Sequence, residues 1–231
     1  LKQCGRTDDY LKVSATCSQI TNLTTALGSL ASTLERFLRF SGFYLLSAAF
    51  ESIAALATVL MEEPIVTQTQ ANREKQSFHQ LPGQLVRLAK DSARALRSTP
   101  LAARLIVSSA VISVPTYLTK MFVQQRLIEL GWPTALLFLP LLLSGLASVL
   151  GTEVGRRVCP CSLRRFYAVC ALLCGGGCVL VGAAPALGCI AGCMLVQGAL
   201  EVWLLHEDRL LNDAIPSDQR ATLISVDSMA Y

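Results

Sequence analysis

Residues 166–205 read FYAVCALLCGGGCVLVGAAPALGCIAGCMLVQGALEVWLL, two long apolar runs joined by a short Ala-Pro-Ala link and carrying one charged side chain, Glu201. Each run holds about 20 residues, and a helix of that length covers the roughly 30 Å hydrocarbon layer of a bilayer. Both runs are apolar on all sides, which suits lipid or the interior of a helix bundle. The stretch therefore predicts two membrane-spanning helices joined by a tight turn.

Similar runs recur along the chain. Hydrophobic residues make up 52% of the sequence and charged residues only 16%, whereas about a quarter of a soluble domain is charged. We predict an all-α, multi-pass transmembrane helix bundle with six runs and the start of a seventh near Thr222. The runs cover residues 13–34, 42–61, 105–123, 134–150, 166–184 and 187–205.

The positive charges alternate between successive connections. If the segment before the first run lies inside the cell, sixteen of the 20 Lys and Arg residues fall on inner connections. This is the asymmetry of the positive-inside rule. It predicts a protein of the cytoplasmic membrane with the long basic loop 62–100 on the cytoplasmic side. A missed span would invert the later loops and weaken the asymmetry.

The long loop contains one stretch, residues 84–97, with basic residues at helical spacing and an apolar strip. Such a helix can lie on an anionic inner leaflet, and a solvated linker helix is an equal alternative. Nucleic-acid binding is disfavoured, because the basic residues stand at the ends of apolar runs.

The nine cysteines do not indicate a disulfide framework or a metal site. Five lie inside apolar runs, where a small, packable role is expected: Cys170, Cys174, Cys178, Cys189 and Cys193. The Cys159-Pro160-Cys161 sequence resembles that of metal pumps but lies in a basic loop. Glycines at 175–177, Gly188 and Gly192 predict small faces for close helix contact. We expect no metal, no cofactor and, without a Walker loop, no ATP hydrolysis by this chain.

One segment after the sixth run points to a family. Residues 212–225 read NDAIPSDQRATLIS. They are similar to the Asn-x-x-Ile-Pro-x-x-x-Arg-Ala-Thr-x-x-Ser stretch between spans ten and eleven of bacterial permeases. Together with two runs, a long inner loop and four closely linked runs, the chain resembles the major facilitator superfamily of secondary transporters. The residues that carry the segment are Asn212, Pro216, Arg220, Thr222 and Ser225.

This resemblance implies a register for the whole chain. Residues 1–61 correspond to the end of the N-terminal half with spans five and six, and residues 62–100 to the central cytoplasmic loop. Residues 101–231 correspond to spans seven to ten and the start of span eleven. The resemblance thus implies that the chain is an internal fragment. It would pack in the membrane against the missing spans of the same protein, one to four and twelve.

The chain departs from the family at two places. The loop between spans eight and nine commonly carries Gly-x-x-x-Asp-Arg-x-Gly-Arg, whereas residues 151–157 read GTEVGRR. The pair Arg156 and Arg157 remains, and Glu153 could supply the carboxylate from a shifted position. The Gly-Pro motif of drug–proton antiporters is missing from the first run, which weakens a specific prediction of drug export.

A polar stripe on the third run is the strongest candidate for a solute path. Its residues recur at spacings of three and four, and so share one helical face. Simple helix–helix packing is the alternative. The stripe comprises Ser109, Ser113, Thr116, Tyr117, Lys120 and Gln124.

Ionisable residues within spans are costly and therefore functional candidates. Glu201, one turn after Gln197, could bind and release a coupling proton, or could be a structural carboxylate paired to Arg209. Glu51 in the second run is the other candidate for proton coupling. Gln197 joins the solute path.

These features predict a secondary active transporter that moves a small solute through the lipid bilayer by alternating access, with coupling protons and with efflux as a family-level expectation. The alternative is a non-transporting integral membrane protein: an intramembrane enzyme, a scaffold or a pump subunit. Catalysis is disfavoured because His79, His206 and most Asp residues fall in or next to predicted loops.

Overall fold

The computed structural model describes residues 10–30, 40–60, 97, 99–158 and 162–214, and within these ranges the regular structure is helical. A short 3₁₀ turn, Thr134–Leu136, precedes the fourth α-helix. The α-helices are α1 (Tyr10–Leu30), α2 (Phe40–Val59), α3 (Pro100–Glu129), α4 (Phe138–Arg157), α5 (Leu163–Ala183) and α6 (Ala186–Ala214).

Four helical stretches are long and apolar enough to cross a membrane: Pro100–Glu129, Thr134–Arg157, Leu163–Ala183 and Ala186–Asp213. They coincide with the third to sixth predicted runs. Among the described residues, the apolar part of α2, Tyr44–Val59, is shorter, and α1 does not reach the same hydropathy. The chain is therefore a helical multi-pass membrane protein with at least these four spans.

The end predicted for the sixth run was wrong. The helix continues past residue 205 to Ala214, so His206, Asp208 and Arg209 are helical instead of lying in a loop. The extension is amphipathic: Leu211 is buried against the first turns of α3, where it packs with Ala102. Burial of one apolar strip keeps a charged segment helical.

Helix α6 is the centre of the bundle, because it packs against α3, α4 and α5 and also contacts α1. Helix α1 packs mainly against α4. Helix α2 makes no extensive contact with the other described helices, and its described side chains are largely exposed.

Helices α4 and α6 cross where two glycines meet. A Cβ atom at Gly151 would overlap the backbone carbonyl of Gly198. Small residues permit this backbone approach, which van der Waals packing then stabilises within a membrane. Helices α1 and α4 meet in the same way at Ala26 and Gly145, where a Cβ on Gly145 would lie 2.6 Å from that of Ala26.

The small face predicted for the fifth and sixth runs is confirmed at Gly177 and Gly192. A Cβ at Gly192 would lie 2.6 Å from the carbonyl oxygen of Gly177. Gly175 and Gly176 instead have open space at their Cβ positions, and Gly188 approaches Ala184 of the preceding turn.

The packing role predicted for the cysteines is also confirmed. All five within the spans are free thiols; Cys178 is partly buried and the others are buried. They fill the contact between α5 and α6 and the contact between α3 and α6.

Candidate functional site

A polar cavity of about 740 Å³ lies between α1, α3 and α6. Its volume falls within the range of small-molecule sites. Each of the three helices contributes polar side chains to a wall that also contains leucines. The polar lining comprises Ser14, Cys17, Ser18, Thr21, Asn22, Ser113, Thr116, Tyr117, Lys120, Gln197, Glu201 and Asp208.

Helix α3 contributes four of the six residues of the predicted stripe: Ser113, Thr116, Tyr117 and Lys120. Thr116 is almost fully buried and donates a hydrogen bond to the Ile112 carbonyl at 2.7 Å. This bond within the helix satisfies its hydroxyl group where no water is available. Tyr117 and Lys120 are exposed at the cavity.

The other two residues of the stripe lie outside the cavity lining. Ser109 is fully buried and donates to the carbonyl oxygen of Ile106 at 3.2 Å. Gln124 donates its side-chain amide to the Leu137 carbonyl at 3.4 Å, at the connection before α4. The two ends of the stripe, Ser109 and Gln124, therefore bond to backbone carbonyls outside the cavity, and only its middle part lines the cavity.

Helix α1 supplies a second polar wall that the sequence reasoning missed. Its residues at positions 14, 17, 18, 21 and 22 follow the spacing of one helical face and line the cavity together. The abundance of Ser and Thr in the first run was visible, and this spacing was the signal that could have identified the face. Other hydroxyls of α1 point elsewhere; for example, Thr24 bonds to the Ile20 carbonyl.

Helix α6 places Glu201 near the middle of its length, where it is partly buried. Thr152 of α4 donates to its Oε2 atom at 3.4 Å. The Asn22 side chain is within hydrogen-bonding reach, and the charge of Lys120 acts on it across the cavity. Gln197 stands one turn away on the same face. The carboxylate is thus held by polar groups of α1 and α4, and the charge of Lys120 on α3 acts on it from a distance.

Glu51, the second predicted carboxylate, does not join this site. It is exposed on α2, and α2 contributes nothing to the cavity lining.

The inner-loop motif forms a separate charged cluster at the end of α4. Glu153 accepts hydrogen bonds from Arg156 at 2.7 and 2.8 Å and from Arg157. Gln19 of α1 also donates to Glu153, at 3.4 Å. Glu153 therefore supplies the carboxylate to both arginines from the shifted position that the sequence predicted, and its contact with Gln19 links α4 to α1.

Only part of the second motif can be placed. Asn212 is buried near the end of α6. Pro216, Arg220, Thr222 and Ser225 lie outside the described residues, as do Cys159, Cys161 and nearly all of loop 62–100.

A second buried polar cluster, between α5 and α6, was missed from the sequence because residue 206 onward was assigned to a loop. Glu207 is 1% exposed and accepts a hydrogen bond from Trp203 Nε1 at 3.0 Å. The rings of Tyr167 and Trp203 lie 4.5 Å apart, and those of Phe166 and His206 4.7 Å apart. This cluster joins the two helices next to, but outside, the cavity.

Within the described residues, no group of His, Cys, Asp or Glu is arranged to hold a metal ion. Comparison with protein-family models, curated proteins and solved structures gives no significant match.

Proposed function

We propose that this chain is part of a secondary active transporter of the major facilitator type, which moves a small solute across the cell membrane by alternating access. The observation that carries the proposal is the polar cavity within a bundle of membrane-crossing helices. A polar surface inside an apolar bundle is costly unless it serves a hydrophilic solute or ion.

The position of Glu201 supports this function. A carboxylate near the middle of a span, held by Thr152 and faced by Lys120, can take up a proton from one side of the membrane and release it to the other. Proton binding there would change the charge of the cavity, which is a means of coupling solute movement to a proton gradient.

The helix contacts support movement of whole helices against one another. The crossing of α1 with α4, which the proposed register places in opposite halves of the transporter, is made by Ala26 and Gly145, with no large side chain to interlock. The link between Gln19 and Glu153 is one long hydrogen bond, which can break and reform. Rocking of one helix group against another is the movement that alternating access requires.

The proposal is tested by solute-dependent proton flux in proteoliposomes that contain the full-length protein. A panel of solutes is applied under an inward and an outward proton gradient. We expect flux with at least one solute, and a decrease of about tenfold or more in Glu201→Gln. Glu129→Gln, which alters an exposed carboxylate at the end of α3, is the matched control and should retain flux.

Absence of flux for every solute and gradient would contradict the proposal and favour a non-transporting membrane protein. Equal flux in Glu201→Gln and wild type would remove Glu201 from the coupling role.

A further inference from the structure

Three charged side chains line the cavity, and two of them, on α3 and α6, are opposite in sign and form no ion pair with each other. Lys120 on α3 and Glu201 on α6 both line it, and the charge of Lys120 acts on Glu201. The ion pairs formed in the described part of the chain include neither side chain. In a low-dielectric bundle, each charge therefore lacks a counter-charge in direct contact, and a bound ligand could supply it.

The register of α3 against α6 gives the separation of the two charges along the bundle. Ile112 packs with Ala199 and Trp203, while Val123 packs with Cys189 and Cys193. The helices are therefore antiparallel, and Glu201 is level with about residue 112 of α3. Lys120 is about eight residues further along, or roughly 12 Å at the rise of an α-helix.

Neutral hydrogen-bonding groups occupy the level between the charges. Thr116 and Tyr117 of α3 and Gln197 of α6 line this part of the cavity. Thr21 and Asn22 of α1 line the same cavity. These groups can bond to a small polar molecule held between the two charges, and the flexible stem of Lys120 shortens the distance to be spanned.

We propose that the solute is a small zwitterion of about amino-acid size, whose carboxylate binds Lys120 and whose ammonium group binds Glu201; this rests on the proposed transport function. A simple anion would meet Lys120 but be repelled by Glu201. A simple cation would meet Glu201 but be repelled by Lys120, and a neutral polyol would leave Lys120 and Glu201 without a counter-charge. A zwitterion compensates both ends at once.

Uptake by the full-length protein in proteoliposomes tests this substrate class. Three radiolabelled probes are compared: a mixture of neutral L-amino acids with glycine betaine, a mixture of hexoses, and tetraphenylphosphonium as a lipophilic cation. We expect uptake of the zwitterion mixture alone. Lys120→Gln and Glu201→Gln should each reduce it by about tenfold or more, because each removes one charge-assisted contact.

Variants that conserve or exchange the charges separate binding from folding. Lys120→Arg should retain most of the uptake, and Glu129→Gln should match wild type. The double variant Lys120→Glu with Glu201→Lys should recover uptake relative to either single charge reversal, since a zwitterion can bind in the opposite orientation.

The outcomes distinguish this proposal from the broader one. Hexose or tetraphenylphosphonium uptake that is unchanged in Lys120→Gln would overturn the zwitterion and leave the transporter. Uptake of the zwitterion mixture that is unaffected by both single variants would also overturn it. Uptake of none of the probes would overturn the zwitterion, while transport itself is judged from proton flux and from access to the cavity from both faces.

Discussion

At the scale of single residues, the two acidic side chains of α6 differ in their surroundings. Glu201 faces the cavity and is partly buried. Glu207 is fully buried in the contact with α5, where it accepts a hydrogen bond from Trp203. The first is accessible to a solute, whereas the second ties part of the bundle together.

The hydrogen bond between Trp203 and Glu207 predicts that its loss lowers the stability of the fold. Trp203→Phe removes the donor to a buried carboxylate, and the free energy of unfolding should fall by about 1.5–3 kcal/mol. Trp132→Phe is the matched control, because Trp132 Nε1 donates to the exposed Leu136 carbonyl at 3.3 Å; its effect should be under about 1 kcal/mol. Unfolding in detergent measures both, and equal losses would contradict the assignment.

The glycine crossings predict a second pair of variants. Gly151→Ala places a methyl group against the backbone of Gly198, and overpacking of this kind costs about 1–3 kcal/mol. Gly175→Ala has open space around the new methyl group and should leave stability unchanged or raise it by about 0.5–1 kcal/mol. Thermal unfolding of the two variants in detergent measures these changes. Wild-type stability of Gly151→Ala would contradict the close crossing of α4 and α6.

At the scale of helices, the long apolar elements were predictable from sequence and the polar faces only partly. Uniform hydropathy identifies a span whatever it packs against, so α3 to α6 were found. The end of α6 was missed because His206 to Asn212 contains charges, and only burial against α3 reveals its apolar strip.

The candidate site was predictable on two of its three walls. A hydroxyl on a helix can face a cavity or a neighbouring helix, and sequence does not distinguish the two. Thr24 and Thr21 illustrate this, since both are on α1 but only Thr21 lines the cavity. For the same reason the stripe on α3 included Ser109, which packs.

The contact between α1 and α4 predicts cross-linking in the membrane. In a cysteine-free background, Ala26→Cys with Gly145→Cys should form a disulfide rapidly under mild oxidation, because their Cβ atoms can meet after a small separation of the helices. Ala26→Cys with Leu56→Cys is the control, since Leu56 is exposed on α2. Non-reducing electrophoresis reads the result; equal cross-linking of both pairs would contradict the α1–α4 packing.

At the scale of the whole molecule, the positive-inside asymmetry predicts which end of the bundle faces the cytoplasm. Glu129→Cys at the end of α3 and Arg157→Cys at the end of α4 are both exposed and lie on opposite sides of one span. In a cysteine-free background, a membrane-impermeant maleimide should label the first in intact cells. The second should be labelled only after permeabilisation, and the reverse pattern would invert the proposed orientation.

The central claim is that the polar cavity is a path across the membrane rather than a crevice. Cys17 is exposed and lines that cavity, so it can report access when every other cysteine of the full-length protein is replaced. The most direct measurement is its reaction with a membrane-impermeant thiol reagent applied to each face of sealed vesicles in turn. Alternating access predicts reaction from both faces, whereas reaction from one face only, or from neither, would contradict a transport path through this cavity.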